Sequence, residues 1–149
     1  MRRGIVRHPV AIDASSLTLL DDMTFVFLCM DRGDQKRIIV EHRVKKGIPF
    51  ADVGMGVMVV DGKITGTVRT VLSTPENREQ AAPHIFFADG NAAANEYASN
   101  IQIPELNAVN AALAVMRWKQ YRGIYHDLRQ AAYLGYSIAS GKLINDVEE

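Results

Sequence analysis

The sequence predicts an α/β fold, a mixed sheet with flanking helices, and two patterns support this prediction. Residues 24–30 (TFVFLCM) and residues 50–60 (FADVGMGVMVV) are apolar runs rich in β-branched and aromatic side chains, which is typical of buried strands. A segment with helical periodicity lies between them, and this order of strand, helix and strand favours a parallel pair. The chain of 149 residues has about the length of one domain.

The composition is that of a globular chain, and it argues against several classes of protein. Hydrophobic residues make up 48% of the chain and charged residues 23%. Because 17 basic side chains balance 17 acidic ones, we expect no broad basic surface for nucleic acid. The longest apolar run is too short to span a membrane, and no signal-peptide core follows the N-terminus. With the single cysteine, these features indicate a cytoplasmic protein that binds neither nucleic acid nor membrane.

The first residues, 1–23, have no clear period and are interpreted as an extended arm. Residues 24–72 follow as a unit of strand, helix and hairpin. The helix of this unit, residues 35–46, is expected to bury three apolar side chains, Ile38, Ile39 and Val44. The charged side chains of the same segment are expected to stay in water: Lys36, Arg37, Glu41, Arg43 and Lys45.

Glycines and a turn motif mark the second strand and its return. Gly54 and Gly56 interrupt the apolar run, where we expect a bulge or a close approach of another backbone. The pair Asp61 and Gly62 predicts a two-residue hairpin turn. Residues 63–72 then become an antiparallel return strand, which makes the predicted sheet mixed.

The second half of the chain contains a predicted long loop and the clearest helix. Residues 73–103 have little periodicity apart from a brief strand pattern at 85–87, and loops of this length are often functional. Residues 104–149 are predicted to form a helix, residues 104–122, and a small hairpin, residues 136–144. The expected apolar stripe of the helix is Leu106, Val109, Leu113 and Met116.

Several short motifs follow one another along the chain, and their residues and their order match those of a known family. They are Met30-Asp31 at the end of the first strand, Arg37 in the helix, GIPF at 47–50, DVGMG at 52–56, NIQI at 100–103, ELNA at 105–108, AALA at 111–114 and RWK at 117–119. In these motifs the sequence resembles the ThiF/MoeB/HesA family, the adenylyltransferases related to ubiquitin-activating enzymes. The resemblance spans residues 2–145 and covers the C-terminal half of that family's domain. It implies that residues 1–149 are a single partial ThiF-like domain of Rossmann-like fold.

The resemblance also implies an activity, cofactors and partners. The activity is ATP-dependent activation of the C-terminal carboxylate of a ubiquitin-like or sulfur-carrier protein, with ATP and Mg²⁺ as cofactors. By resemblance, Asp31 binds both the nucleotide and the metal ion, at the mouth of the crevice where open α/β sheets bind ligands. The alternative for Asp31 is a plain helix N-cap. A homodimer is expected, because half of a doubly wound sheet exposes a strand edge and apolar faces.

The half of the family's domain that carries the Gly-rich nucleotide loop has no counterpart in the sequence. Gly54 and Gly56 do not replace it, since Val59 stands where the third glycine of G-x-G-x-x-G belongs. The chain alone is therefore expected to be inactive, and no catalytic residue is assigned. A second hypothesis is a non-catalytic module for dimerisation and carrier docking. A third hypothesis is an unrelated Rossmann-like nucleotide-binding protein, which would need the G-x-G-x-x-G motif that the sequence lacks.

Other polar and reactive residues have two interpretations each. Cys29 is expected to pack as a small apolar side chain rather than act as a thioester nucleophile. The histidines have no metal-ligand spacing and are expected to be surface or locally bonded side chains. Five polar residues of the loop could line a polar crevice or position a carrier tail, or could be turn-forming side chains: Asp89, Asn91, Asn95, Glu96 and Asn100. Three arginines of the arm could reach a nucleotide in a neighbouring subunit, or could be solvated: Arg2, Arg3 and Arg7.

Overall fold

The computed structural model describes residues 4–30, 33–87 and 103–147. Within these residues the chain is an α/β fold in which helices flank one mixed sheet of five strands, as the sequence predicts. The strands and α-helices are β1 Val26–Leu28, α1 Gly33–Lys45, β2 Phe50–Val60, β3 Lys63–Ser73, α2 Arg78–Ala81, α3 Pro104–Tyr121, β4 Tyr133–Ser137 and β5 Leu143–Asn145. Short 3₁₀ helices occupy Leu17–Leu20 and Ala82–His84.

The strands lie in the sheet in the order in which they follow along the chain. β1 is parallel to β2, with Val26 opposite Phe50. β2 and β3 are antiparallel over their full lengths, from Phe50 opposite Ser73 to Val60 opposite Lys63. β4 pairs with β3 and β5 pairs with β4, both antiparallel. The predicted strand, helix, strand and hairpin are therefore confirmed.

The β2–β3 hairpin has the predicted turn but not the expected bulge. Asp61 and Gly62 both have positive φ, 50° and 73°, as a type I′ turn requires. Each residue of β2 pairs with one residue of β3, so Gly54 and Gly56 do not mark a bulge. The expected close backbone approach does occur at Gly56, because a Cβ at Gly66 would lie 2.0 Å from the carbonyl oxygen of Gly56.

Side chains pack on both faces of the sheet. Val71 packs with Ala81 of α2, whereas the adjacent Thr70 contacts Asn110 of α3. Because neighbouring residues of a strand point to opposite faces, α2 and α3 cover opposite sides of β3. The hydrophobic core between α1 and the sheet contains Leu28, Ile39, Val40 and Phe50. No helix within the described residues is both long and apolar enough to cross a membrane.

The prediction of a fully buried first strand is wrong. β1 has only three residues, and β2 is its sole partner among the described strands. Phe27 is 40% exposed, although the centre of its ring lies 5.0 Å from that of Phe25 and 6.5 Å from that of Trp118 in α3. Cys29, directly after β1, is exposed, so its expected packing role is also wrong.

The buried face of α1 differs from the expected one. Lys36 and Arg43 are buried, although the sequence pattern predicted both in water, while Val44 is 43% exposed. Lys36 and Arg43 share a face with Ile39 and Val40, at spacings of three, four and seven residues. Their burial is compatible with charge because each cation finds oxygen partners inside the fold.

The apolar stripe of α3 is only partly correct. Leu113 is buried, but Val109 and Met116 are 38% and 47% exposed. Asn110 and Arg117 are buried in their place, since their side chains bind groups on the strands and on the segment that follows the helix.

Two segments expected to be irregular are partly ordered. Within the predicted arm, Arg43 binds the carbonyl oxygens of Leu20 and Met23 and fixes them against α1, so the arm is not extended there. The predicted long loop begins with α2 and a 3₁₀ helix. Residues 85–87 form no strand, and residues 88–102 lie outside the described part of the chain.

Candidate functional site

The candidate site lies where β1 ends and α1 begins. Because β1 and β2 are parallel and joined by α1, the carboxyl end of β1 and the N-terminus of α1 lie at the same edge of the sheet. In the sequence, Asp31 falls between Leu28, the last residue of β1, and Gly33, the first residue of α1. Asp31 itself lies outside the described residues, so its metal and nucleotide roles remain predictions.

A buried cluster of charges lies next to this edge. Asp52 pairs with Leu28 in the sheet, and its side chain is fully buried. Lys36 Nζ lies 2.8 Å from Asp52 Oδ1 as an ion pair, at an angle outside that of a hydrogen bond. Arg69 Nη1 donates to Asp52 Oδ2 at 2.9 Å. The cluster therefore joins the first turn of α1 to β2 and β3.

The two cations of the cluster also hold the segment after the second 3₁₀ helix. Lys36 Nζ donates to the carbonyl oxygen of Phe86 at 3.1 Å, and Arg69 Nη1 donates to that of His84 at 3.3 Å. The Arg69 guanidinium also lies 5.7 Å from the centre of the Phe86 ring. These contacts fix the chain immediately before residues 88–102, which the structure does not describe.

Gly54 makes room for this arrangement. A Cβ at Gly54 would lie 2.7 Å from Arg69 Nη2, which is closer than carbon and nitrogen can approach without a shift. The carbonyl oxygen of Gly54 accepts a hydrogen bond from Asn110 Nδ2 at 2.9 Å, and Thr70 Oγ1 donates to Asn110 Oδ1 at 3.2 Å. Gly54 is thus held from the α3 side while Arg69 crosses close to its Cα.

The cluster contains two cations and one carboxylate. Its net charge is therefore one positive unit, placed beside the last residue of β1. A buried positive charge favours anions at the adjacent surface. Asp52 is engaged by both Lys36 and Arg69, so it does not fit as a free ligand for a metal ion.

Cys29 has a thiol that is held protonated. Although the residue is exposed, partial burial of the thiol, together with the Asp52 carboxylate, raises its pKa above the ordinary value of 9.0. Because the thiolate is the reactive form, this environment does not favour a nucleophile.

Two of the histidines bind carboxylates and none belongs to a metal cluster in the described residues. His42 Nε2 lies 2.7 Å from Asp21 Oδ1, and His84 Nε2 lies 3.5 Å from Asp146 Oδ2. The described ranges contain no group of three or more His, Cys, Asp or Glu side chains placed to hold a metal ion.

A second charged cluster lies at the far end of α1. Asp21 accepts hydrogen bonds from His42 and from Lys46, the latter at 3.2 Å, and these bonds lower its pKa. Arg43 is fully buried beside it, and burial lowers the pKa of its guanidinium. These contacts anchor residues 20–23 and carry no feature of a ligand site.

A cavity of about 230 Å³ lies beyond the C-terminal half of α3. Arg117 lines it and binds Gln120 at 2.8 Å, Asp127 at 2.9 Å and the carbonyl oxygen of Ala131. These contacts tie the end of α3 to the segment that follows it, so we assign Arg117 to stability, although its Nε has no hydrogen-bond partner among the described residues. Nothing in the sequence periodicity indicates this cluster.

Most of the remaining candidates from the sequence lie outside the described residues. Arg7 is exposed in the N-terminal segment. The other arm and loop candidates lie outside the described residues: Arg2, Arg3, Asp89, Asn91, Asn95, Glu96 and Asn100. Sequence reasoning missed the cluster of Lys36, Asp52 and Arg69, because only the fold brings these residues together.

Comparison with known protein families found no match, and no curated protein is similar to the chain at a significant level.

Proposed function

We propose that the chain is the C-terminal half of a ThiF-like adenylyltransferase domain acting in the cytoplasm. In the parent enzyme it would contribute to ATP-dependent activation of the C-terminal carboxylate of a ubiquitin-like or sulfur-carrier protein. The observation that supports this best is the buried, net positive cluster of Lys36, Asp52 and Arg69 beside the end of β1. The cluster lies next to the carboxyl end of β1, which Asp31 follows in the sequence. By resemblance, Asp31 is the residue that binds the nucleotide and the metal ion.

The residues present fit Mg²⁺ only as part of a nucleotide complex. Mg²⁺ is commonly held by one or two carboxylates together with phosphate oxygens, so a single Asp31 is compatible with a nucleotide-bound ion. When bound, Mg²⁺ would neutralise negative charge on the phosphates as pyrophosphate leaves. The positive cluster favours the same anionic group through the protein interior.

The assembly we propose has two parts. A phosphate-binding half, with its Gly-rich loop, is supplied by another chain or another segment, and this chain forms a homodimer. Exposed apolar side chains support an assembly, since isolated globular surfaces rarely expose so many on one hairpin. On the β2–β3 hairpin they are Met58, Val59, Val60 and Ile64.

Calorimetric titration with ATP and Mg²⁺ tests the proposed site. We expect weak, millimolar binding by the wild-type chain, because half of the phosphate contacts are supplied elsewhere. Asp31→Asn should abolish the Mg²⁺-dependent part of the binding. Asp61→Asn is the matched control, since it removes a carboxylate at the hairpin tip and should change nothing. Equal affinities in wild type and Asp31→Asn would remove Asp31 and the enzymatic proposal.

The second candidate is a non-catalytic module for dimerisation and carrier docking. The same exposed hairpin favours it, because this surface needs no nucleotide. In this case a ubiquitin-like carrier protein would bind equally well with and without ATP, and Asp31→Asn would not weaken its binding. A carrier affinity that rises with ATP and Mg²⁺ would argue for the enzyme instead.

A further inference from the structure

The outer part of β2 has an open edge. β1 pairs only with Phe50, Ala51 and Asp52, whereas β3 pairs with β2 as far as Val60. Within the described residues, no strand lies beside residues 54–60 on the side away from β3. We call residues 54–60 the open edge.

The open edge lacks the devices that normally prevent strand pairing. Its sequence, GMGVMVV, contains no charged residue and no proline. Met58, Val59 and Val60 are 56%, 43% and 49% exposed. Since side chains alternate along a strand, Met58 and Val59 point to opposite faces, so the outer hairpin is apolar on both faces. A two-stranded ribbon of this kind is marginally stable in water without further cover.

The space beside Gly56, where a side chain would lie, is empty among the described residues. A Cβ at this position would meet nothing within 4 Å, and its φ lies outside the left-handed region. Glycine weakens a strand, and in strand interiors it often marks the close approach of another group. Gly54 differs, because Arg69 fills the space above it.

We infer that the open edge pairs antiparallel with the same edge of a second copy, about a twofold axis at Val57. This register places Gly56 opposite Met58 of the partner subunit and Gly54 opposite Val60 of the partner subunit. Gly56 then leaves room for the partner's Met58 on the same face, and the twofold axis repeats this contact, so the edge is complementary to itself around Val57. No like charges oppose each other, because the edge has none, and the chain has a formal net charge of +0.

A second copy is the occupant that these observations favour. The open space at Gly56 and the large exposed side chain of Met58 fit each other when this edge is read in the reverse direction, and another protein would have to supply the same pair. The inference rests on the homodimer proposed above and adds the surface that forms it. The sheet would continue through both subunits, from β5 of one copy to β5 of its partner.

Exchanging residues across the proposed twofold axis tests the register. Gly56→Met should weaken dimerisation by about tenfold or more in sedimentation equilibrium, because two methionines then oppose each other. Met58→Gly should also weaken it, since it leaves a gap. The double variant Gly56→Met with Met58→Gly restores one large and one small residue in each pair. Its affinity should return to within about threefold of wild type.

The controls separate folding from association. Thr65→Met adds the same side chain to β3, one strand away from the open edge, and should leave dimerisation unchanged. Melting temperatures at low concentration should agree between Gly56→Met and wild type, since the new side chain has space in the monomer. If Gly56→Met does not fold, hydrogen exchange of the wild-type chain decides. Within residues 54–60, the alternate amides that point away from β3 should gain protection as concentration rises, and the amides of residues 63–66 should not.

The outcomes distinguish the inference from the proposed function. A dimer that is insensitive to Gly56→Met, or that the double variant fails to restore, overturns the inference and leaves the homodimer standing. A monomer at all concentrations overturns both the inference and the homodimer. Neither result tests nucleotide binding, which is measured separately with Asp31→Asn.

Discussion

Lys36 Nζ lies 2.8 Å from Asp52 Oδ1, with side chains that are 3% and 0% exposed. This ion pair joins the first turn of α1 to the part of β2 that pairs with β1. Arg69 binds the other carboxylate oxygen from β3. One carboxylate thus holds together three elements that are separate in sequence, at the edge of the sheet that carries the proposed site.

Asp52→Asn should strongly destabilise the fold. The amide leaves the buried Lys36 and the partly buried Arg69 without their counter-charge, and removing one partner of a buried pair costs about 3–5 kcal/mol. The free energy of unfolding in urea measures the loss. Asp22→Asn, which changes an exposed carboxylate, is the control and should stay within about 0.5 kcal/mol of wild type. A loss for Asp52→Asn no larger than that of the control would show that the cluster is not a structural unit.

Gly54→Ala should cost more than Gly56→Ala, although both glycines lie on the same strand. The new methyl group at position 54 would meet Arg69 Nη2 at 2.7 Å and force the guanidinium away from Asp52, at about 1–3 kcal/mol. At position 56 nothing lies within 4 Å, so alanine should be neutral or slightly stabilising. Urea unfolding at a concentration where the chain is monomeric compares the two. Equal costs at the two positions would contradict the packing described here.

The free energy of unfolding should depend on pH through the ionisation of Asp21. Hydrogen bonds from His42 and Lys46 lower its pKa in the folded state below the ordinary value of 3.8. The ionised carboxylate therefore stabilises the fold above that value, and the contribution is lost as the pH falls through the lower folded pKa. Asp21→Asn should be less stable than wild type near neutral pH and should lose less stability on acidification. Urea midpoints from about pH 6 to pH 3 measure both; parallel curves would exclude this contribution.

Cys29 should react slowly despite its exposure. Partial burial of the thiol and the nearby Asp52 carboxylate raise its pKa above 9.0, so the thiolate fraction at neutral pH is small. The rate of alkylation by iodoacetamide should be lower than that of a free cysteine peptide at the same pH. As the pH is raised, the rate should keep increasing above the pH range in which an ordinary cysteine thiol ionises, because the pKa of Cys29 is raised. A rate at or above that of the peptide would mean that the thiol is not protected.

Local patterns were enough to predict the strand, helix and hairpin of residues 24–72. The bounds of β2 agree with its apolar run, and the Asp61-Gly62 turn follows from two residues that tolerate positive φ. Both features depend on residues close in sequence. For the same reason, Pro104 marks the start of α3 correctly.

The site could not be predicted in the same way, because its contacts are long-range. Lys36 and Arg43 look solvated on α1, and only the folded chain brings Asp52 and the backbone oxygens to them. Asn110 is likewise buried although it lies outside the predicted apolar stripe, because Gly54 and Thr70 offer hydrogen-bond partners on the sheet. Helical periodicity assigns such residues to water, since it cannot anticipate which buried groups need a partner.

Mapping amide chemical-shift changes by NMR, as ATP and Mg²⁺ are added to the labelled chain, tests the central proposal most directly. We expect changes centred on residues 28–36, at the end of β1 and the start of α1, and none at Asp61 and Gly62. Asp31→Asn should remove these changes. The absence of changes at millimolar ATP, or changes confined to another surface, would contradict an adenylyltransferase site at this edge of the sheet.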